Sequence, residues 1–363
     1  MFEPKFSISH RILTNISHIE GAKAIIDTAP LIPAWEKTFQ QDATIRTVHY
    51  GTHLEGNDLS LGQARLIFEK AEISNQKSAK KIASQAGVVA RERDIQEILN
   101  YRKVLEFLDK AQKHDQYSED EIKRIHKITV NKILDLEFSG EYRQKKVVVK
   151  DVATGLISYR PPLPLEIPFQ MQHFVAWLNS KASLDLHPVL KSGIAHYEIV
   201  RIHPFLDGNG RVARAIATLI LFRQDYDIKK FFSLEEYYDK NPVEYYQALQ
   251  SVIDNQMDMT SWLEYFTFGL SIELDQVKQK VKDLSMDEHM LNKLGQQISL
   301  SERQIKLVEF LKNHEAMYMK HAAKILPDIS EDTILRELKD LVKKNLIKKV
   351  GKTKGSYYML KLK

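Results

Sequence analysis

The sequence predicts a mainly α-helical protein with one β-hairpin near its middle and a small helix-and-strand module at its C-terminal end. Three observations carry this. Apolar residues recur at three- and four-residue spacing through most of the 363-residue chain. Strand-like pieces are confined to residues 145–159 and 347–362. Charge also shifts abruptly near the end: the net charge is +5, yet residues 343–363 hold eight lysines and no acidic residue, so +8 in the tail leaves −3 for the rest. The body is therefore no general polyanion-binding surface, and any such role belongs to the tail.

Length implies two or three domains, and 43% hydrophobic residues suffice for real cores. The absence of cysteine excludes disulfides, thiolate metal sites and a cysteine nucleophile. The first residues lack the apolar stretch of a secretion signal and no run of 18 apolar residues occurs, so a cytoplasmic protein without a membrane span is expected.

In order along the chain, residues 1–117 read as an extended opening followed by helices. One is capped by Ser60 and another runs over 94–108, with a polar loop at 74–86 between them. At residue 118 a second region begins, where Ser118 and Glu121 form a capping box for a helix over 118–134. Residues 145–149 and 155–159 bracket a turn and read as a hairpin ended by Arg160, Pro161 and Pro162. Helices are expected over 189–202 and 211–223, and this region should end near Phe268. Leu270, Leu274, Val277, Val281 and Leu284 form a two-heptad seam in a helical connector, 269–299. Residues 300–363 read as three helices, a strand at 347–350, a turn at 351–355 and a strand at 356–362.

The chemistry concentrates in residues 203–214, His-Pro-Phe-Leu-Asp-Gly-Asn-Gly-Arg-Val-Ala-Arg. Gly208 and Gly210 allow backbone N–H groups to approach an anion closely. The loop opens directly into a helix, whose N-terminus aims unpaired N–H groups and a positive dipole end at the same place. Arg211 and Arg214 lie three apart on one helix face and can fork onto phosphate oxygens. Asp207 suits Mg²⁺, which prefers one or two carboxylates plus substrate phosphates. His203 titrates near neutrality and can take a proton from a hydroxyl.

These twelve residues resemble the signature of the Fic family, HPFx[DE]GNGRxxR, at every specified position. The resemblance implies a Fic-type helical core over 118–268 and adenylyl transfer: with Mg²⁺, or Mn²⁺ in its place, ATP gives up AMP to a Ser, Thr or Tyr hydroxyl. It implies that His203 is the base and Asp207 the metal ligand. Gly208, Asn209 and Gly210 would cradle the inner phosphates with Arg211, and Arg214 would meet the γ-phosphate. A phosphotransferase branch carries lysine at the second glycine; Gly210 favours AMP transfer. The hairpin corresponds to the family's flap, where Ile157, Ser158 and Tyr159 would border ATP and a target protein would pair along 145–160. Tyr245 and Tyr246 resemble the family's paired tyrosines beside the adenine. Upstream, Glu55-Gly56-Asn57 resembles the inhibitory motif [ST]xxxE[GN], whose glutamate pairs with the second arginine. The position four before Glu55 holds Gly51, and Thr52 comes one residue late.

Residues 300–363 resemble a winged helix-turn-helix, a module that takes a DNA duplex or a protein partner. Two rivals stand beside the autoinhibited adenylyltransferase: a nucleotide-sensing, DNA-binding regulator, and a Fic enzyme using another nucleotide or a phosphocholine donor.

Overall fold

The computed structural model describes every residue except 1, 30, 32, 74–77, 111–115, 151–156, 227, 294–299, 315, 328, 345, 352–355 and 362–363. Its contacts divide it into two compact units, residues 1–283 and 284–363.

In the first unit the chain forms α1 (His10–Thr28), α2 (Pro33–His53), α3 (Leu61–Ile73), α4 (Ala79–Ala86), α5 (Glu92–Lys110) and α6 (Glu119–Thr129). A two-stranded hairpin follows, β1 (Val149–Lys150) and β2 (Ile157–Tyr159). Then come α7 (Ile167–Leu178), α8 (Lys181–Leu184), α9 (Pro188–Ile202), α10 (Asn209–Arg223), α11 (Leu234–Lys240), α12 (Pro242–Asp254) and α13 (Thr260–Lys293). Several starts are chemically marked. Ser118 accepts from Glu121 N–H as expected, Asn241 accepts from Glu244 N–H, and Pro188 and Pro242 open α9 and α12, where proline's missing N–H costs nothing.

The centre of this unit is the antiparallel pair α9 and α10, with α5 and α6 against α10. Gly193 lets α13 cross α9 closely: a Cβ there would lie 2.9 Å from Leu263 Cδ2 and 3.0 Å from Phe266. One continuous hydrophobic core runs from Ile12 on α1 to Val281 on α13 and includes Ile98, Ile125, Phe205, Ile216 and Trp262. Among the described residues no helix is long and apolar enough to cross a membrane.

Several expectations need correction. The opening is extended only to Ser9; α1 and α2 follow, and their polar residues hid the buried stripe Ile12, Ile19, Ala22 and Ile26. Within the loop expected over 74–86, Ala79–Ala86 form helix α4, closed by Gly87 at φ 68°, and 74–77 lie outside the described residues. The helix from residue 119 stops at Thr129, and 130–133 form turns. At the hairpin, pairing begins at Val149, four residues later than expected. No break separates core from connector near 268, because α13 runs unbroken to Lys293.

The second unit contains α14 (Glu302–Asn313), β3 (Met317–Tyr318), α15 (Met319–Ile325), α16 (Glu331–Lys343), β4 (Ile347–Val350) and β5 (Tyr357–Leu360). The three strands form an antiparallel sheet in the order β3–β5–β4, with Ile347 opposite Leu360 and Met317 opposite Tyr358. Its core is Leu307, Leu311, Met317, Ile334, Leu338, Leu341 and Tyr358. The strand β3 is too short for its alternation to register in sequence.

Candidate active site

The loop between α9 and α10 is held by its own polar groups. His203 caps α9 in the left-handed region (φ 50°), its N–H donating to Ile199 O at 2.9 Å. Asn209 uses both ends of its amide on Phe205, accepting from the N–H and donating to the carbonyl, each at 2.9 Å. That side chain is therefore a staple for the loop, and Asn209 can offer an anion only its backbone N–H. Gly208 starts α10 at φ 79°, where a Cβ would also press on Val130 Cγ1 at 3.1 Å. The N–H groups of Asn209, Gly210 and Arg211 have no hydrogen-bond partner among the described residues, which leaves the helix N-terminus open to an anion.

Beneath the loop lies His126 of α6, stacked on Phe205 with ring centroids 3.8 Å apart. Its Nδ1 accepts from Gly140 N–H (3.0 Å), so the proton sits on Nε2, which donates to Asp207 O (3.1 Å). Burial pushes its pKa down to about 4, against the opposing pull of the Asp207 carbonyl, and keeps the ring neutral.

His203 is itself enclosed. Burial lowers its pKa below the usual histidine value, with the Val200 carbonyl opposing and Arg143 assisting. The ring's Nδ1 lies 3.3 Å from Val200 O. A proton on Nδ1 satisfies that carbonyl and leaves the Nε2 lone pair for a substrate.

The Asp207 carboxylate sits among cations. Its Oδ1 accepts from Gly208 N–H (2.5 Å) and Arg211 Nη2 (3.2 Å), and its Oδ2 from Arg93 Nη2 (2.6 Å). Burial works against ionisation here, but Arg211 and Arg93 outweigh it and hold the carboxyl below its ordinary pKa. Glu97 of α5 ties the group together: its Oε1 faces Arg93 Nε at 3.1 Å and Arg211 Nη1 at 3.3 Å, while its Oε2 accepts from Asn57 Nδ2 at 3.0 Å.

Two residues before Asn57, Glu55 reaches Arg214. Oε1 accepts from Arg214 Nη2 at 2.8 Å, and the same nitrogen donates to Gly51 O at 2.7 Å. Arg214 is fully enclosed. Burial alone would lower its pKa, but Glu55 leads the neighbours that raise it well above normal. The Glu55 carboxylate also lies directly over Gly210, where any Cβ would collide with Oε1. Gly51 has a steric reason of its own: a Cβ would approach Tyr101 Cε1 to 2.6 Å. Thr52, the hydroxyl residue one place late, is buried and bonds back to Val48 O and His49 O within α2.

The two tyrosines are ring neighbours, with centroids 5.1 Å apart, but differ in exposure. Tyr245 is buried in the core, its hydroxyl 2.9 Å from His196 Nε2, and does not reach the site surface. Tyr246 is exposed and donates to Leu54 O at 3.3 Å, beside Glu55. Residues 151–156, where the turn was expected, lie outside the described residues; of the flap positions named from sequence, Ile157 pairs with Lys150 and Tyr159 with Val149, Ser158 lies between them in β2, and Tyr159 donates its hydroxyl to Arg201 O at 2.9 Å. Sequence reasoning missed Arg143, whose buried guanidinium donates to His203 O (2.8 Å), Lys145 O (3.0 Å) and Pro162 O (2.7 Å). One side chain thus fixes both legs of the hairpin to the base-bearing loop. Arg93, Glu97 and His126 were missed as well. Each acts across more than 80 positions of sequence, and helical periodicity carries no such signal.

The site thus joins a left-handed helix end carrying a histidine to an open helix N-terminus flanked by two arginines and a carboxylate. Residues 116–221 match the Fic/DOC family model. The chain is 32% identical over 190 residues to the protein adenylyltransferase Fic of Aedes aegypti, covering 52% of this chain and 34% of that protein. It is 31% identical over 182 residues to the protein adenylyltransferase fic-1 of Caenorhabditis elegans, covering 49% and 32%. The matched stretch thus spans about a third of the length of these relatives. A Fic family protein from Desulfovibrio desulfuricans G20 shares the fold over 100% of this chain and 99% of its own, with a TM-score of 0.66 at 21% identity. Fic-1 of C. elegans (residues 134–508) superposes over 75% and 74%, with a TM-score of 0.57 at 24% identity.

Proposed function

We propose that this chain is a protein adenylyltransferase, transferring AMP from ATP to a Ser, Thr or Tyr hydroxyl of a target protein and of itself, and restrained by Glu55. The observation that carries the reading is the open N-terminus of α10 between His203 and Arg214. Phosphates seat on the open backbone N–H groups of Asn209, Gly210 and Arg211 and on the Arg211 guanidinium, with Gly208 giving them room to approach. His203 Nε2 takes the proton from the target hydroxyl, whose oxygen bonds to the α-phosphorus as the bond to pyrophosphate breaks. Tyr246 borders the nucleotide, Tyr245 supports it from the core, and a target segment pairs beside β2 along 145–160.

Mg²⁺ or Mn²⁺ fits the donor set. Asp207 is an ionised, partly exposed carboxylate at the mouth of the nest, and no cluster of three or more His, Cys, Asp or Glu side chains occurs among the described residues. A single carboxylate completed by substrate phosphates is Mg²⁺-like coordination. When bound, the ion neutralises charge on the phosphates.

Glu55 restrains the site by occupying the guanidinium assigned to the γ-phosphate and by placing negative charge over Gly210. The reading extends to a cytoplasmic setting, and to the second unit as a winged helix that chooses the partner, DNA or protein. Intact mass after incubation with Mg²⁺-ATP tests the proposal: wild type and Glu55→Gly should gain AMP, the variant more. No AMP adduct on either, or transfer of a different group from a panel of labelled donors, would remove it.

A further inference from the structure

Arg93 occupies an unusual position for a residue outside the 203–214 loop. It projects from the first turn of α5, its side chain is 57% exposed at the mouth of the site, and its Nη2 lies 2.6 Å from Asp207 Oδ2. Asp207's other oxygen is already used inward, by Gly208 N–H and Arg211. Oδ2 is therefore the oxygen left to face a ligand, and Arg93 covers it. The guanidinium is held there from behind, because Glu97 Oε1 takes its Nε at 3.1 Å. We propose that Arg93 is a resident counter-cation of the metal site, one that the divalent ion must displace from Asp207 before the site can load.

The physical argument is substitution of one cation by another. A partly buried carboxylate beside only Arg211 would be left with one oxygen uncompensated, so the resting protein gains by covering it. A divalent ion and a guanidinium cannot share the same oxygen without strong repulsion. Metal loading must therefore break the Arg93–Asp207 pair, and the long exposed side chain of Arg93 can swing into water at little cost. Once released, Arg93 keeps Glu97 as its partner, so it is not orphaned. The same turns of α5 hold the Glu55 loop: Asn57 donates to Asp94 O (2.9 Å) and Glu97 Oε2 (3.0 Å), and Arg91 donates to Gly56 O (3.1 Å). One helix start thus carries both the cover on the metal ligand and the anchors of the Glu55 segment.

The inference rests on the assignment of Asp207 above, and a binding measurement separates the two. Mn²⁺ is titrated into the full-length chain saturated with α,β-methylene-ATP, with bound and free ion distinguished by electron paramagnetic resonance. Arg93→Ala should bind Mn²⁺ more tightly, roughly fivefold, the scale set by one exposed ion pair. Arg93→Lys, which keeps a cation, should fall between the two. Nucleotide affinity measured in EDTA should be the same in wild type and Arg93→Ala. In an Asp207→Asn background, Arg93→Ala should make no difference. Unchanged or weaker Mn²⁺ binding in Arg93→Ala would overturn the proposal, and so would a loss of nucleotide affinity in EDTA, which would make Arg93 a phosphate ligand. Absence of AMP transfer by wild type would instead remove the functional reading, whatever the Mn²⁺ curves show.

Discussion

Glu55 Oε1 lies 2.8 Å from Arg214 Nη2 and at the same time fills the space over Gly210 into which any larger residue would project. One carboxylate therefore holds the inner cation and shadows the helix N-terminus that should receive phosphate. Removing it should activate. Glu55→Gly should raise self-modification roughly tenfold or more, as expected for a charge-assisted pair worth about 1–2 kcal/mol in a partly enclosed setting. Arg214→Ala should inactivate, because it removes the phosphate contact along with the restraint. The check is adduct formation by intact mass over a range of ATP concentrations; equal rates for wild type and Glu55→Gly would free Glu55 of this role.

The glycine at position 51, where related inhibitory motifs carry Ser or Thr, is demanded by its surroundings. Gly51→Ser restores the pattern yet should destabilise. Helix propensity favours the change by up to about 1 kcal/mol, but the Cβ must displace the Tyr101 ring from a 2.6 Å approach. Overpacking of that kind costs about 1–3 kcal/mol, and it wins. Gly51 O would shift with the backbone and loosen Arg214. A lower Tm together with faster self-modification is expected; a higher Tm would show that Tyr101 yields freely.

How much of this was legible in the sequence depended on range. The 203–214 loop, α9, α10, α14, α16 and β4 could be read because their signals are local: glycines, caps and periodicity within a dozen residues. The contact of Glu55 with Arg214 spans 159 positions and was reached only through family resemblance. Arg143 and His126 gave no local sign, since a buried polar residue is marked by the carbonyls it finds and not by its neighbours in sequence. Tyr245 and Tyr246 show the limit of a motif: their ring centroids lie 5.1 Å apart and both feel Glu55, yet Tyr245 is buried against His196 and Tyr246 is exposed and reaches Leu54 O.

His126 should contribute to the acid sensitivity of the fold. Its pKa is about 4 in the folded chain, pushed down mainly by burial, against an ordinary value of 6.5. The unfolded chain therefore binds the proton first as pH falls. Stability is complete above about pH 6.5 and declines between there and pH 4, by roughly 3 kcal/mol from this residue at the lower limit. His126→Asn should lower stability at pH 7.5 but flatten the decline. Urea unfolding at pH 7.5, 5.5 and 4.5 provides the comparison, and parallel losses in both proteins would count against this assignment.

His203 should set the acid limb of catalysis, and that limb should lie below pH 6.5. Burial, the largest influence on the ring, lowers its pKa, and Arg143 acts in the same direction. The base form is thus the majority species at neutral pH. Its Nδ1 faces Val200 O, so the proton acceptor is Nε2 and no tautomer change is needed before reaction. His203→Ala should cost about 10²- to 10⁴-fold in transfer, the usual worth of a positioned base, with nucleotide affinity little changed. Glu55 is one of the groups that raise the His203 pKa. Removing that negative charge should therefore move the acid limb lower still, so Glu55→Gly should keep its activity to more acidic pH than wild type as well as being faster. The measurement is kcat/KM for AMP transfer against pH in the two proteins, with nucleotide affinity followed separately. An acid limb above 6.5, or one that rises when Glu55 is removed, would mean that His203 is not the group whose protonation shuts the reaction down.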